Sequence, residues 1–439
     1  MKKNIIFYFS DQQRWDTVNE ELTPNLMKLA GEGVKFENSF TCQPVCGPAR
    51  ACLQTGVYAT QCGCYWNGIP LPEDRKPLAE YFNEAGYDTA YIGKWHLASD
   101  RLPGIGFHCE KGPVPKEKRG GYRYWRAADV LEFTSHGYDG YIFDNENNKI
   151  DFKGYRADCI NEFALEYLDE YDGSKPFFLF VSQIEPHHQN DHGCYEGYRE
   201  TVDQYKSYPI PEDLTFLKGD YRESYPDYLS AINRLDYNVG KLVEKLKEKG
   251  IYEDTIIIYT SDHGSHFKTR NLEYKRSCHD SCTHTPLIIR GGEFLGGSAY
   301  TGLVSLIDLP PTLLTAAGIP VPEDYMGKEL AGMIHGGKER DCIFIQISES
   351  QCGRAIRTDR YKYAVKTVHP TGYTVHSSSV YFEDYLYDLE KDPIEKKNLI
   401  RNPKYRNVTD QLKSMLIDQM VKAGEKRPTI FHALYTAKK

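Results

Sequence analysis

The sequence predicts an α/β fold: a mostly parallel central sheet flanked by helices, then a smaller C-terminal α+β subdomain with an antiparallel sheet. Three observations carry this expectation. Short apolar runs of strand length alternate with amphipathic helical stretches, the pattern of a parallel sheet covered on both faces. Reactive polar residues follow four of these runs, where ligands sit in open α/β sheets. Beyond residues 327–340, rich in glycine and charge, the apolar runs shorten and crowd together.

Residues 3–10 hold Ile5, Ile6, Phe7, Tyr8 and Phe9 and read as a buried first strand. No small-residue cleavage site follows, so the run does not read as a signal peptide. Thr23-Pro24 supplies an N-cap and a first-turn proline to a helix carrying Leu26, Leu29 and Ala30. Leu78, Phe82 and Ala85 form the apolar face of another helix, which stops at Gly86. Residues 89–93, 177–183, 255–261 and 286–290 read as further buried strands. The longest helix carries Leu229, Ile232, Leu235, Val239, Leu242, Val243 and Leu246 at spacings of three and four, and ends at Gly250. These elements make a larger α/β domain over 1–335. A subdomain over 340–439 follows, with strands at 342–347, 355–356, 361–365 and 385–389 and a helix from Lys404 to Val421.

Composition excludes some functions. The 439 residues are 40% hydrophobic, ample for a core. The 54 Lys and Arg against 62 Asp and Glu leave a net charge of −8, with no basic block, which argues against a nucleic-acid partner. An anionic ligand must then be drawn in by local charge. No apolar run approaches the roughly 18 residues that span a bilayer, so no membrane partner is expected. The twelve cysteines read as free thiols in a reducing cytoplasm. Cys62/Cys64 and Cys278/Cys282 lack the partner pair of a structural zinc site.

Cys46-Gly47-Pro48-Ala49-Arg50, followed by Thr55-Gly56, places a reactive side chain at the entry of a helix. Proline suits a first helical turn, the helix N-terminus favours an anion, and Arg50 adds a positive fork. The plain alternative is a structural cysteine beside a turn. Asp11 and Gln12 follow the first strand, and Asp262-His263 follows the run at 255–261. Together they would make a cation site, since hard divalent cations take oxygen ligands. Histidine softens the set, which leaves magnesium or manganese beside calcium.

The pentapeptide and its Thr-Gly match C-x-P-x-R with a downstream T-G, and Gly93-Lys94-Trp95-His96-Leu97 matches G-K-W-H-L. With Leu306-Ile307-Asp308-Leu309-Pro310 and Leu386-Tyr387-Asp388-Leu389, the sequence resembles the type I sulfatases of the alkaline-phosphatase-like superfamily along nearly its whole length. The resemblance implies a sulfuric ester hydrolase of bacterial type. Cys46 would be oxidised to formylglycine by a formylglycine-generating maturation enzyme, and the aldehyde hydrate would attack sulfur. Asp11, Gln12, Asp262, His263 and residue 46 would hold the cation, calcium in most relatives. Many family members have Asp-Asp where this chain has Asp11-Gln12, at a loss of one negative charge. Arg50 and Lys94 would hold charge on the sulfonyl oxygens, His96 would hydrogen-bond the nucleophile, and His187 or Lys275 would protonate the leaving alcohol.

His188, Arg276, His279 and His284 lie beside these positions and offer donors suited to hydroxyls or a uronate, so a small sulfated carbohydrate is the expected substrate. Tyr122, Tyr124, Trp125, Arg126 and the turn Tyr65-Trp66-Asn67 would either stack on a ring or fill the core under long loops. Aryl or steroid sulfates, phosphonate or phosphate esters, and a non-catalytic binding role with unmodified Cys46 stand as alternatives.

Overall fold

The computed structural model describes residues 2–100, 108–368 and 372–434. Asn4–Ser10 is extended and buried along its whole length, and this strand, β1, lies in the middle of a large sheet. In chain order the other strands are β2 (Val34–Phe40), β3 (Asp88–Lys94), β4 (Tyr124–Ala128), β5 (Ser135–His136), β6 (Asp139–Phe143), β7 (Lys149–Lys153), β8 (Phe177–Ser182), β9 (Thr255–Ser261), β10 (Leu287–Arg290) and β11 (Ser298–Ser305). Their order across the sheet is β11-β2-β10-β9-β1-β8-β3-β4-β6-β5, with β7 paired to β6. Pairing is parallel without a break from β9 through β1, β8 and β3 to β4. Ser10 lies opposite Ser261, and Phe9 opposite Ser182, so the carboxyl ends of these strands finish at one edge.

Side chains alternate between two cores, as the two-residue period of a strand requires. Phe7, Phe9, Phe178 and Phe180 face the helices Cys46–Thr55, Leu78–Glu84 and Leu309–Ala316. Ile6, Tyr8, Leu179 and Val181 face Pro24–Glu32, Arg156–Glu170 and Tyr221–Glu248. The long helix starts at Tyr221, ahead of its leucine stripe, because Tyr221, Tyr225 and Tyr228 are buried and continue the apolar face. Gly93 has φ +103°, and a Cβ there would lie 2.0 Å from the Ser182 carbonyl oxygen, so only glycine lets β3 approach β8 beside the site.

Two local departures stand out. The run expected at 286–290 pairs antiparallel with both β9 and β2. Its connection to β9 contains the four-residue helix Asp280–Thr283 and no long crossover helix, and without a long crossover a strand returns antiparallel. Residues 124–126, read as loop, form β4, from which the antiparallel strands β5, β6 and β7 extend the sheet.

A second sheet holds β12 (Ile343–Ile347), β13 (Gly353–Arg357), β14 (Tyr361–Lys366), β15 (Val380–Asp388) and β16 (Thr429–Phe431) in sequential order. It is antiparallel except for the β15–β16 pair. The helix Arg406–Lys422 buries Leu412, Leu416 and Met420 against it. Lys362 on β14 is fully buried and pairs with Asp280 and Glu395, which ties this sheet to the loop beyond β9.

Candidate active site

The edge where the parallel strands end carries the site. Cys46 is the first residue of the helix Cys46–Thr55, with Pro48 in its first turn. Gly47 N–H donates to Asn67 Oδ1 (2.8 Å), which fixes the helix entry. Asp11 and Gln12 leave β1, and a left-handed backbone at Gln12 (φ 71°) lets its N–H donate to Asp262 Oδ1 (3.0 Å). Asp262 and His263 leave β9. Lys275 reaches in from the loop beyond, and its Nζ donates to Cys46 Sγ (2.7 Å). Burial alone would raise the Cys46 thiol, but the Lys275 and Lys94 charges override it and hold it well below the usual cysteine range.

Four groups make a compact ligand set. One ligand atom each from Asp11, Cys46, Asp262 and His263 lies within 4.8 Å of the others, and all four residues are buried. His263 Nδ1 lies 2.9 Å from the Gly264 carbonyl oxygen, so Nδ1 carries the proton and Nε2 presents its lone pair 3.3 Å from Cys46 Sγ. Gln12 Nε2 donates to Tyr195 Oη (2.8 Å) and Ser265 Oγ (3.2 Å), which leaves its carbonyl oxygen as the free acceptor. That oxygen and Asp262 Oδ2 are buried without a hydrogen-bond partner. Burial and the neighbouring Asp11 push Asp262 up to about 7. Unpartnered oxygens and two crowded carboxylates are what a divalent cation relieves, and the donor set fits one.

Arg50 and Lys94 lie elsewhere than expected. Lys94 Nζ donates to Asp11 Oδ2 (2.6 Å), and Arg50 Nη2 donates to the same oxygen (3.0 Å). Arg50 Nη1 donates to the Lys94 carbonyl and Ser182 Oγ. Both cations brace Asp11 from behind, and neither lines the cavity in front of Cys46.

That cavity encloses about 360 Å³. Its floor is Cys46, Gln12, His96, His187 and Lys275. His187 Nε2 lies 3.1 Å from Lys275 Nζ and accepts from it. Burial and the Lys275 charge depress His187, which keeps it neutral. His96 has φ 60° and a buried Nδ1 without a hydrogen-bond partner. The wall is Trp66, Asn67, Val130, Glu132, Phe133, Asn190, Glu273, Tyr274, Arg276 and Glu349, with Tyr373 beside Trp66 at a ring separation of 5.5 Å.

Of the four residues expected to bind substrate, the structure brings only Arg276 to the cavity, paired with Glu273 and Glu349. His188 lies behind the wall, accepting from Tyr274 Oη (2.7 Å). His279 packs on Tyr385 and Tyr387 at the second sheet. His284 is stacked between Trp15 and Phe40, with Nε2 donating to the Glu37 carbonyl. Tyr122 and Trp125 fill the core, whereas Trp66 and Asn67 do reach the site. Glu132, Asn190, Glu349 and Tyr373 escaped the sequence reading, since no spacing in the sequence links them.

Comparison with known proteins decides the family. The sulfatase family model matches residues 3–319. The chain belongs to the sulfatase family. It is a sulfuric ester hydrolase with an alkaline-phosphatase-like fold. The model of the N-sulphoglucosamine sulphohydrolase C-terminal region matches residues 271–422. An ulvan-active sulfatase of Formosa agariphila is 28% identical over 97% of this chain and 82% of its own length. An N-acetylglucosamine-6-O-sulfatase of Bacteroides thetaiotaomicron is 24% identical over 94% of this chain and 86% of its own. A solved structure in complex with its substrate D-glucosamine-2-N,6-O-disulfate superposes with a TM-score of 0.80 at 22% identity, covering 98% of this chain and 99% of that one.

Proposed function

We propose that this sulfatase removes an O-sulfate from a small carbohydrate, using formylglycine matured from Cys46 and one divalent cation, calcium, at Asp11, Gln12, Asp262, His263 and residue 46. The observation that carries the substrate class is the cavity wall. Asn67, Glu132, Asn190, Glu273, Arg276 and Glu349 line it together with Trp66, Phe133, Tyr274, Tyr373 and Val130. Such a wall suits the hydroxyls and one flat face of a sugar, whereas an aryl or steroid pocket would be mostly apolar. The sugar esters acted on by the ulvan and N-acetylglucosamine relatives support the same reading.

Matured to formylglycine, residue 46 would supply the nucleophilic hydroxyl and an aldehyde that can be regenerated after sulfate is released. The cation, held by Asp11, Gln12, Asp262 and His263, would supply Lewis-acid polarisation. The chain's own residues do the rest. Arg50 and Lys94 hold Asp11 ionised and in place. Asn67 fixes the backbone at Gly47. Lys275 holds a proton at Nζ, between the side chain of residue 46 and His187 Nε2. An ester oxygen leaving toward this pair takes that proton, and neutral His187 is placed to share it. His96, at the floor, offers an imidazole to the attacking side.

A maturation enzyme that oxidises Cys46 is the implied partner. We place the protein in a reducing cytoplasm, where its other cysteines would remain thiols. Among the described residues no helix is long and apolar enough to cross a membrane. The test is kcat/KM of matured enzyme on sulfated mono- and disaccharides beside aryl and steroid sulfates. Sugar esters should win by orders of magnitude. Cleavage of aryl or steroid esters with no sugar sulfate turned over contradicts the carbohydrate assignment.

A further inference from the structure

A second group of metal-ligating side chains stands outside the active site. His136 closes β5, and Asp191 and His192 lie on the loop beyond β8. One ligand atom from each lies within 4.8 Å of the other two. His136 Nε2 is 2.9 Å from Asp191 Oδ2. The two imidazoles stack face to face, centroids 4.0 Å apart and planes 6° from parallel.

The surroundings complete the pattern. His192 Nδ1 lies 2.6 Å from Glu196 Oε1, and Glu196 Oε2 is held by the Gly137 N–H at 2.6 Å. A carboxylate anchored on Nδ1–H leaves Nε2 as the ligand atom, the arrangement that orients zinc-binding histidines. His136 has Asp139 on its Nδ1 side at 3.9 Å. The stacked rings hold their in-plane lone pairs in near-parallel planes, centroids 4.0 Å apart, so one ring must turn for both to reach an ion; all three side chains are substantially exposed, and rotamer changes can close the group to the ligand spacing of roughly 3.3 Å that tetrahedral zinc requires.

We propose that His136, Asp191 and His192 form a surface site for a transition-metal dication, with zinc the fitting ion and water in the fourth position. Two imidazoles and one carboxylate select such an ion over calcium, which prefers oxygen. The site clamps β5 to the loop that carries His187. Asp191 Oδ1 accepts from Gln189 Nε2 (2.8 Å), and Asn190 Nδ2 donates to Glu132 Oε1 (2.6 Å). Asn190 and Glu132 both line the catalytic cavity, so the clamp steadies its wall.

The test titrates calcium-loaded protein with zinc chloride by isothermal titration calorimetry, beside His136→Asn and His192→Asn. Wild type should take one zinc at this site, and each variant should bind it at least tenfold more weakly. Equal thermal melts in EDTA establish that the variants fold, as exposed positions should allow. Cobalt(II) gives an independent readout: tetrahedral absorption bands in wild type, lost in either variant. Equal zinc affinity and equal cobalt spectra in wild type and both folded variants overturn the proposal.

Discussion

Replacing Lys275 by methionine separates its two jobs. The ammonium sits 2.7 Å from Cys46 Sγ and 3.1 Å from His187 Nε2, and the residue is only 6% exposed. Methionine keeps the length and removes the charge and the protons. Loss of the charge beside the nucleophile affects every ester alike. Loss of the proton donor affects only esters whose leaving oxygen needs a proton. General acid catalysis contributes about 10²–10⁴ in rate, or about 3–5 kcal/mol. A sugar alkoxide needs that help, and 4-nitrophenolate does not. In Lys275→Met, kcat/KM for a sugar sulfate should therefore fall about 10² further than for 4-nitrophenyl sulfate. Peptide mass must first establish equal formylglycine content in both proteins. An equal fall for the two esters refutes the proton-donor role and leaves Lys275 as a positioning charge.

Other outcomes follow from the same geometry. Asp262→Ala should lose bound cation, measured by elemental analysis, together with turnover; undiminished rate in a metal-free preparation contradicts the cation site. Lys362→Met leaves buried Glu395 without its ammonium partner and Asp280 with only Arg357 at 4.0 Å, and denaturant unfolding should show a loss of about 3–5 kcal/mol; a loss under 1 kcal/mol sinks the idea that this triad holds the second sheet in place. Burial pushes His266 and His284 down to about 3. The unfolded chain protonates them near 6.5, so the stability of their neutral forms is present above that pH and lost as pH falls from 6.5 toward 3. Each adds a slope of about 1.4 kcal/mol per pH unit in that window. His284→Gln should flatten the measured stability–pH curve by one such slope, and an unchanged curve contradicts its burial as a neutral ring.

Part of the candidate site was legible because several of its residues follow strands that announce themselves. β1, β8 and β9 are buried on both faces and read as unbroken apolar runs. Asp11, His187 and Asp262 are found by stepping off their ends. β2 was missed because Lys35, Glu37 and Asn38 interrupt its apolar residues, and β11 because its first half is exposed. The cavity wall was harder still. Glu349 comes from the loop after β12 and reaches the site through Asn67, whose N–H it accepts at 2.7 Å. Nothing local in the sequence marks that contact. His279 and His284 misled for the opposite reason. They are near Lys275 in sequence, but the helix Asp280–Thr283 turns the chain away, and both rings pack as buried neutral side chains. Lys94 was placed at its strand end and Arg50 on the helix after Cys46, and in the structure both donate to the buried carboxylate of Asp11.

The central claim is that turnover depends on formylglycine at position 46. Expression with graded amounts of maturation enzyme gives a series in which peptide mass reports the converted fraction. Sugar-sulfate turnover per chain should rise in proportion to that fraction and vanish in Cys46→Ala, whose fold should be unchanged by circular dichroism. Full activity in protein whose peptide map shows only unmodified cysteine would contradict the account.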